Sequence, residues 1–250
     1  MLLSGKVVLV TGASGGIGSA TCRVLAREGA GLVVHYSTRK EKAEKLAAEL
    51  LEKGSEAEAM GADVRDPAAV KALVDRAIAR FGRIDGLVNN AIGGRQAGSL
   101  EDVTLDDYAN SFDFGCRAVV NTIKAVRPAM REQGGGRIVN IVSEQWNMGA
   151  AGWSVYLAGK GAMVGISRCL ACELGPDNIT VNMIAPGWMA DERVDTGSEG
   201  SKAYARNVPL RRHGSAAEIG NACVFFISDL ASFVTGAYLP VAGGNVTQMG

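Results

Sequence analysis

"KVVLVTGASGGIG", residues 6 to 18, joins a short apolar run to a glycine-rich turn and passes straight into a helical pattern. Strand, tight turn and helix start in immediate succession make an anion site, because backbone N–H groups point outward and the helix dipole favours negative charge. Gly12 suits a tight turn, Gly16 lets the backbone approach a phosphate, and Gly18 permits close helix packing, with Ser14 and Ile17 between them. The spacing G-x-x-x-G-x-G is not the commonest phosphate-binding fingerprint, and without a following Lys-Ser/Thr it is no P-loop. In a chain with 33 glycines a plain turn has the same letters, so the surrounding sequence must decide.

That surrounding sequence repeats the strand-then-helix pattern. Further apolar runs occur at "GLVVHY", "EAMGADV", "GLVNNA", "RIVNIVS", "ITVNMIAPG" and "AYLPV", most of them continuous instead of alternating, which marks strands covered on both faces. Helical patterns occupy residues 17 to 28, 40 to 53, 67 to 81, 105 to 131, 155 to 174 and 216 to 230. The charged stretch "KEKAEKLAAELLEKG" is too short for a coiled coil and reads as a solvated crossover helix. The expected fold is therefore α/β, a doubly wound Rossmann-type arrangement with a seven-stranded parallel sheet flanked by helices. No repeat or linker divides residues 1–250, so one domain is expected.

Composition narrows the function. Lys+Arg and Asp+Glu both number 26, so nothing draws the chain to nucleic acid or an anionic membrane. No signal-peptide pattern or long uncharged apolar stretch is present, and a soluble, cytoplasmic protein is expected. Five cysteines make an odd count without a disulfide or zinc framework, and no metal site is expected. Cys169 and Cys172 lie in an apolar helical pattern that suggests core packing.

The second strand carries a test of the nucleotide. A dinucleotide with a free ribose 2′-hydroxyl usually meets an acidic residue about 20 positions beyond the glycines, and "VVHYSTRK" has none. Ser37, Thr38 and Arg39 suit a 2′-phosphate instead, so NADP(H) is expected and NAD less so. The same letters also suit an ordinary helix start, with Ser37 or Thr38 as the cap.

"YLAGK" sets Tyr156 four residues before Lys160, on one face of a helix. An ammonium about 6 Å away at an effective dielectric of about 20 would favour the tyrosinate by roughly two pK units. Together with the glycine turn, "NNA" at 89 to 91, Ser143 and "PG" at 186 to 187, this pair makes the chain resemble the short-chain dehydrogenase/reductase family. "GRIDGLVNNA", "GRIVNIVS", "ITVNMIAPG" and the segment from 208 to 244 are similar to its 3-oxoacyl-carrier-protein-reductase-like branch.

The resemblance implies a carbonyl reductase or alcohol dehydrogenase working on a small molecule. It makes Tyr156 the general acid and base, gives Ser143 the substrate oxygen, and has Lys160 lower the tyrosine pKa and hold the nicotinamide ribose. It implies that Asp63 and Val64 contact adenine, that Asn89 and Ala91 lie beside the cofactor, and that Pro186 and Gly187 flank it. A homotetramer built through the two long helices is implied as well. Asp63 also suits a simple turn cap.

Three positions depart from the family. Its catalytic asparagine is replaced by Gly115, "NNAG" reads "NNAI" with Ile92, and "VDGG" reads "VAGG" with Ala242. Water filling the space of the missing amide would keep a proton path from Lys160 open, with Gly115→Ala stabilising the helix. The alternative is a nucleotide-binding protein with weak or lost turnover. Glu144, Gln145, Trp146, Met148, Trp153 and Trp188 are expected around the substrate, and residues 188–207 resemble the family's mobile substrate lid.

Overall fold

Val8 and Val10 point to one face of the first strand and Val7 and Leu9 to the other, and all four are buried. A strand wet on neither side needs helices on both faces of its sheet, and that is the architecture found. The computed structural model describes residues 1–94, 97–190 and 195–246. Their strands are β1 (Val7–Val10), β2 (Gly31–Tyr36), β3 (Ala57–Gly61), β4 (Gly86–Asn89), β5 (Gly136–Ile141), β6 (Ile179–Pro186), β7 (Met189–Ala190), β8 (Gly214–Ser215) and β9 (Tyr238–Val241). Seven form one parallel sheet in the order β3-β2-β1-β4-β5-β6-β9, while β7 and β8 make a separate two-stranded pair that the sequence pattern does not announce.

The helices are α1 (Gly16–Arg27), α2 (Lys40–Glu52), α3 (Pro67–Phe81), α4 (Leu105–Phe112), α5 (Ala118–Glu132), α6 (Gln145–Met148), α7 (Ser154–Leu174), α8 (Glu199–Asn207) and α9 (Ala216–Ile227). Residues of α1, α2 and α9 pack on one face of the sheet, and residues of α3, α5 and α7 on the other. Local chemistry sets the ends. Asp66 caps α3 by accepting from the Ala68 N–H at 2.8 Å, with Pro67 in the first turn and Gly82 left-handed at the far end. Thr104 and Asp107 form a reciprocal capping box at α4.

Two expectations change. The single helix expected over 105 to 131 is two helices separated by a π-helical turn, Asp113–Arg117, at whose centre sits Gly115. The cysteines Cys169 and Cys172 are exposed, not packed in the core. Helix α7 buries Met163, Val164, Ser167, Ala171 and Leu174 along one side, and the cysteines fall on the other.

Strand β1 pairs with β2 on one side and β4 on the other, so chain direction across the sheet reverses there. Doubly wound sheets bind ligands in the crevice beyond the carboxyl ends of their strands at that reversal. The glycine turn after β1 and residues 90 to 92 after β4 both lie at it.

Candidate active site

Short hydrogen bonds hold the glycine turn. Thr11 Oγ1 accepts from the N–H groups of Asn90 (2.9 Å) and Ala91 (3.1 Å), and Asn90 Nδ2 donates to the carbonyls of Thr11 (2.9 Å) and Gly12 (3.2 Å). Gly12 has φ +63, and a Cβ there would stand 2.9 Å from Ala91 Cα; a Cβ on Gly18 would overlap the Gly12 carbonyl oxygen. Both positions therefore demand glycine. Beneath the turn lies a residue sequence reasoning passed over, the buried His35. Its Nδ1 accepts from the Gly12 N–H at 3.1 Å, which leaves Nε2 to donate to the Ala62 carbonyl at 3.1 Å. Burial pushes its pKa down to about 4.

Beside the turn opens a cleft of about 280 Å³ lined by Gly12, Ser14, Gly16, Ile17, Gly18, Ser37, Thr38, Arg39, Asn90 and Ile92. Helix α2 starts after Arg39 without any side-chain cap, so the hydroxyls of Ser37 and Thr38 do not serve it. Ile92 is half exposed over the cleft, and it is not among the non-glycine residues with positive φ, so the backbone there does not need glycine. Bare glycine backbone at a helix start with a cationic, hydroxyl-rich rim fits a dinucleotide phosphate.

The neighbouring candidates divide. Asp63 accepts from the Arg65 N–H at 2.9 Å and pairs with its guanidinium at 2.7 Å, which holds the carboxyl below its usual range. It thus serves its own turn. Val64 is buried, and Asn121 Nδ2 donates to its carbonyl at 3.1 Å. The Asn89 side chain faces into the sheet, donating to Asn140 Oδ1 at 2.9 Å and accepting from Thr122 Oγ1 at 2.8 Å. Asn90 is the asparagine that clasps the turn.

At the far side of the reversal Ser143 follows β5, and Tyr156 stands in the first turn of α7. Their side chains are hydrogen-bonded, and Ser143 Oγ also accepts from the Gln145 N–H at 3.2 Å. Lys160 lies one turn beyond Tyr156, with Nζ 5.8 Å from the tyrosine ring centroid. It is 6% exposed and donates to the Ile141 carbonyl at 2.6 Å.

The electrostatics correct one expectation. Tyr156 has a raised pKa, first because burial disfavours the phenolate, against which the Ser143 hydrogen bond pulls it down and the Glu144 charge adds to the rise. Lys160, whose own pKa burial lowers to about 8, is not among the groups that shift Tyr156.

Gly115 overturns a second expectation. A Cβ there would overlap the Gly159 carbonyl oxygen and come within 2.5 Å of Gly159 Cα, while a Cβ on Gly159 would overlap Ser111. The space of the missing amide is taken by the backbone of α7. What remains is a cavity of about 10 Å³ touching Gly115, Tyr156, Lys160 and Met163. That is near the lower limit for one water.

The expected substrate wall is only partly assembled. Trp153 meets Tyr156 edge-on at 5.5 Å, and Trp188 meets Tyr204 at 5.3 Å and His213 at 5.2 Å. Trp146 is half exposed and lies over Gly161 of α7, and Met148 is exposed as well. Glu144 is buried and engaged by Tyr204 and Asn245, two residues that sequence reasoning passed over. Pro186 accepts from the Glu144 N–H at 3.0 Å, and Gly187 donates to Val241 at 3.0 Å while packing on Ala242. Of the stretch 188–207, residues 191–194 lie outside the described residues, and 199 to 207 form α8, capped by Ser198. Among the described residues no cluster suits a metal, and no helix is long and apolar enough to cross a membrane.

With this geometry in view, residues 12–245 match the enoyl-(acyl carrier protein) reductase family. The 3-oxoacyl-acyl-carrier-protein reductase FabG of Staphylococcus aureus is 36% identical over 240 residues, covering 96% of this chain and 97% of that protein. A blue fluorescent protein from a metagenomic library, crystallised with NADPH, superposes with a TM-score of 0.91 at 38% identity over 99% of this chain and all of its own. An NAD+-bound xylitol dehydrogenase superposes with a TM-score of 0.90 at 35% identity, covering 98% of this chain and 100% of that one. The chain belongs to the short-chain dehydrogenase/reductase family, in its FabG-like branch.

Proposed function

We propose that this protein is an NADP(H)-dependent oxidoreductase that interconverts a small carbonyl compound and its alcohol. The observation that carries the proposal is the grouping of Ser143, Tyr156 and Lys160 at the carboxyl edge of the sheet, two strands along from the glycine turn of a phosphate-sized cleft. The nicotinamide supplies or accepts the hydride. Ser143 donates a hydrogen bond to the substrate oxygen, and Tyr156 protonates it during reduction or takes its proton during oxidation. A phenol whose pKa is raised is protonated at neutral pH, which suits the reductive direction. Lys160, whose ammonium donates to the Ile141 carbonyl one helical turn beyond the tyrosine, orients the ribose.

The phosphate on the ribose falls to Arg39, with Ser37 and Thr38, since β2 ends in His35 and Tyr36 without a carboxylate. NADPH oxidation with a panel of small aldehydes and ketones tests the proposal: steady turnover with NADPH exceeding that with NADH is expected, and thermal stabilisation by NADPH without turnover on any carbonyl would contradict it. A second reading, slow turnover, draws on the tight crossing at Gly115, which leaves room for one water at most. A carbonyl reduced with a rate limited by proton delivery, seen as a large solvent isotope effect, favours it.

We also propose a homotetramer. Exposed Cys169 and Cys172 on α7, and exposed Phe112 on α4, support an assembly through these helices. Light scattering at four times the chain mass is expected, and a monomer would contradict it.

A further inference from the structure

A buried carboxylate flanks the proposed catalytic serine. Glu144 is 3% exposed, and each of its oxygens has a partner: Oε1 accepts from the Tyr204 hydroxyl at 2.9 Å and Oε2 from Asn245 Nδ2 at 2.9 Å. The Trp188 N–H joins the same group by donating to Tyr204 Oη at 2.8 Å. Tyr204 belongs to α8, Trp188 follows β6 and Asn245 follows β9. Three segments far apart in sequence thus converge on one side chain at the end of β5.

Donor and acceptor types explain why an acid stands there. The Trp188 N–H can only donate, and in this arrangement Tyr204 and Asn245 donate too, so the central group must accept without a donor of its own. An ionised carboxylate does that. Burying it without partners would be costly, and the bonds from Tyr204 and Asn245 offset that cost. Aromatic packing continues the connection: Trp188 lies edge-on to Tyr204, Tyr204 stacks on His213 at 5.1 Å, and His213 Nε2 is 2.6 Å from Ser201 Oγ of α8.

We propose that Glu144 is a positioning residue that fastens α8 and the Trp188 segment over Ser143 and Tyr156, fixing the shape of the substrate site; this rests on the oxidoreductase reading for the word substrate, and not for the fastening itself. Glu144 does not touch the reacting atoms. It acts through Tyr204, Trp188 and Asn245.

Hydrogen exchange of residues 199 to 207, with the full chain and NADPH as the only ligand, reads the fastening without any substrate. In Glu144→Ala and in Tyr204→Phe, exchange in α8 should rise about 10-fold while β1, β4 and β5 keep their protection. The double variant should exchange more slowly than the product of the two single effects, because the Glu144–Tyr204 bond is lost in each of them. Glu144→Gln should keep most of the protection, since its amide oxygen still accepts from Tyr204 and a turned Asn245 amide can accept from its nitrogen. Should Glu144→Ala not fold, Tyr204→Phe removes only a hydroxyl and decides the matter. Unchanged α8 exchange in Tyr204→Phe, an equal rise across the whole sheet, or Glu144→Gln behaving as the alanine variant would overturn the proposal. With any carbonyl the parent turns over, KM should rise in Glu144→Ala by more than kcat falls, with Glu144→Gln restoring KM. A fall in kcat at constant KM would contradict the positioning role. Absence of turnover in the parent would strike the oxidoreductase reading and leave the exchange result standing.

Discussion

The two halves of the crevice are built differently. On the nucleotide side, the turn after β1 is shaped by glycines that would clash if they carried a Cβ and is held by Thr11, His35 and Asn90 within two strands of it. On the substrate side, Glu144, Trp188, Tyr204 and Asn245 come from four separate segments and meet through the side chains of Glu144, Tyr204 and Asn245 and the backbone N–H of Trp188. A site made of backbone at a strand end repeats wherever the fold repeats, and it tolerates little change. A site made of long-range side-chain contacts can be rebuilt from other residues, which is how one fold serves many substrates.

The sharpest way to break this contrast lies where the halves touch, at the crossing of Gly115 and Gly159. Gly115→Asn and Gly115→Ala should each destabilise the chain by about 3 kcal/mol or more, because the clash is with backbone that cannot rotate aside. Denaturant unfolding checks it. Stabilisation of Gly115→Ala would restore the idea of spare volume in the π-helical turn.

Smaller effects should separate the halves by pH. Lys160 has a folded pKa lowered to about 8 from 10.5, so its burial penalty is full below about 8 and fades as pH rises toward 10.5. Lys160→Met should be favoured in stability over the parent most strongly at pH 7, with the difference shrinking by on the order of 3 kcal/mol by pH 10.5. His35 works at the other end of the scale. Its folded pKa of about 4 lies below the unfolded 6.5, so the stability it contributes is whole above 6.5 and is lost as pH falls toward 4. His35→Asn should remove that acid sensitivity, which amounts to on the order of 3 kcal/mol. Thermal melts of each variant beside the parent across these windows decide both, and parallel pH profiles would refute the assigned shifts.

Smallest in free energy is the change at the cleft rim. Arg39→Ala should weaken NADPH by roughly 1.5 to 3 kcal/mol and leave NADH nearly unchanged, as calorimetry can measure. Equal losses for both nucleotides would remove Arg39 from phosphate recognition.

The nucleotide half was legible in the sequence because its determinants are local: an apolar run, glycines at fixed spacing and a helix start are neighbours along the chain. Ser143, Tyr156 and Lys160 were singled out by the resemblance to the short-chain dehydrogenase/reductase family, whose motifs put them at fixed places after a strand and at a helix start. His35 escaped notice because a lone histidine in a strand looks the same whether or not its ring holds a turn. The substrate half was not legible. Residues 199 to 207 have few apolar side chains to mark a helix, and α8 is recognisable only once Ser198 caps it and Tyr204 reaches Glu144. Nor did the spacing of Tyr156 and Lys160 reveal that burial would raise the tyrosine's pKa and lower the lysine's, because burial depends on everything packed around them.

The central claim is that Tyr156 moves the proton, and replacing its hydroxyl with hydrogen tests it most directly. Tyr156→Phe, mixed with NADPH and a carbonyl the parent reduces, should bind NADPH with the parent's affinity while its single-turnover rate of NADPH oxidation falls by about 10²- to 10⁴-fold. A rate within a few-fold of the parent at equal NADPH affinity would contradict the account.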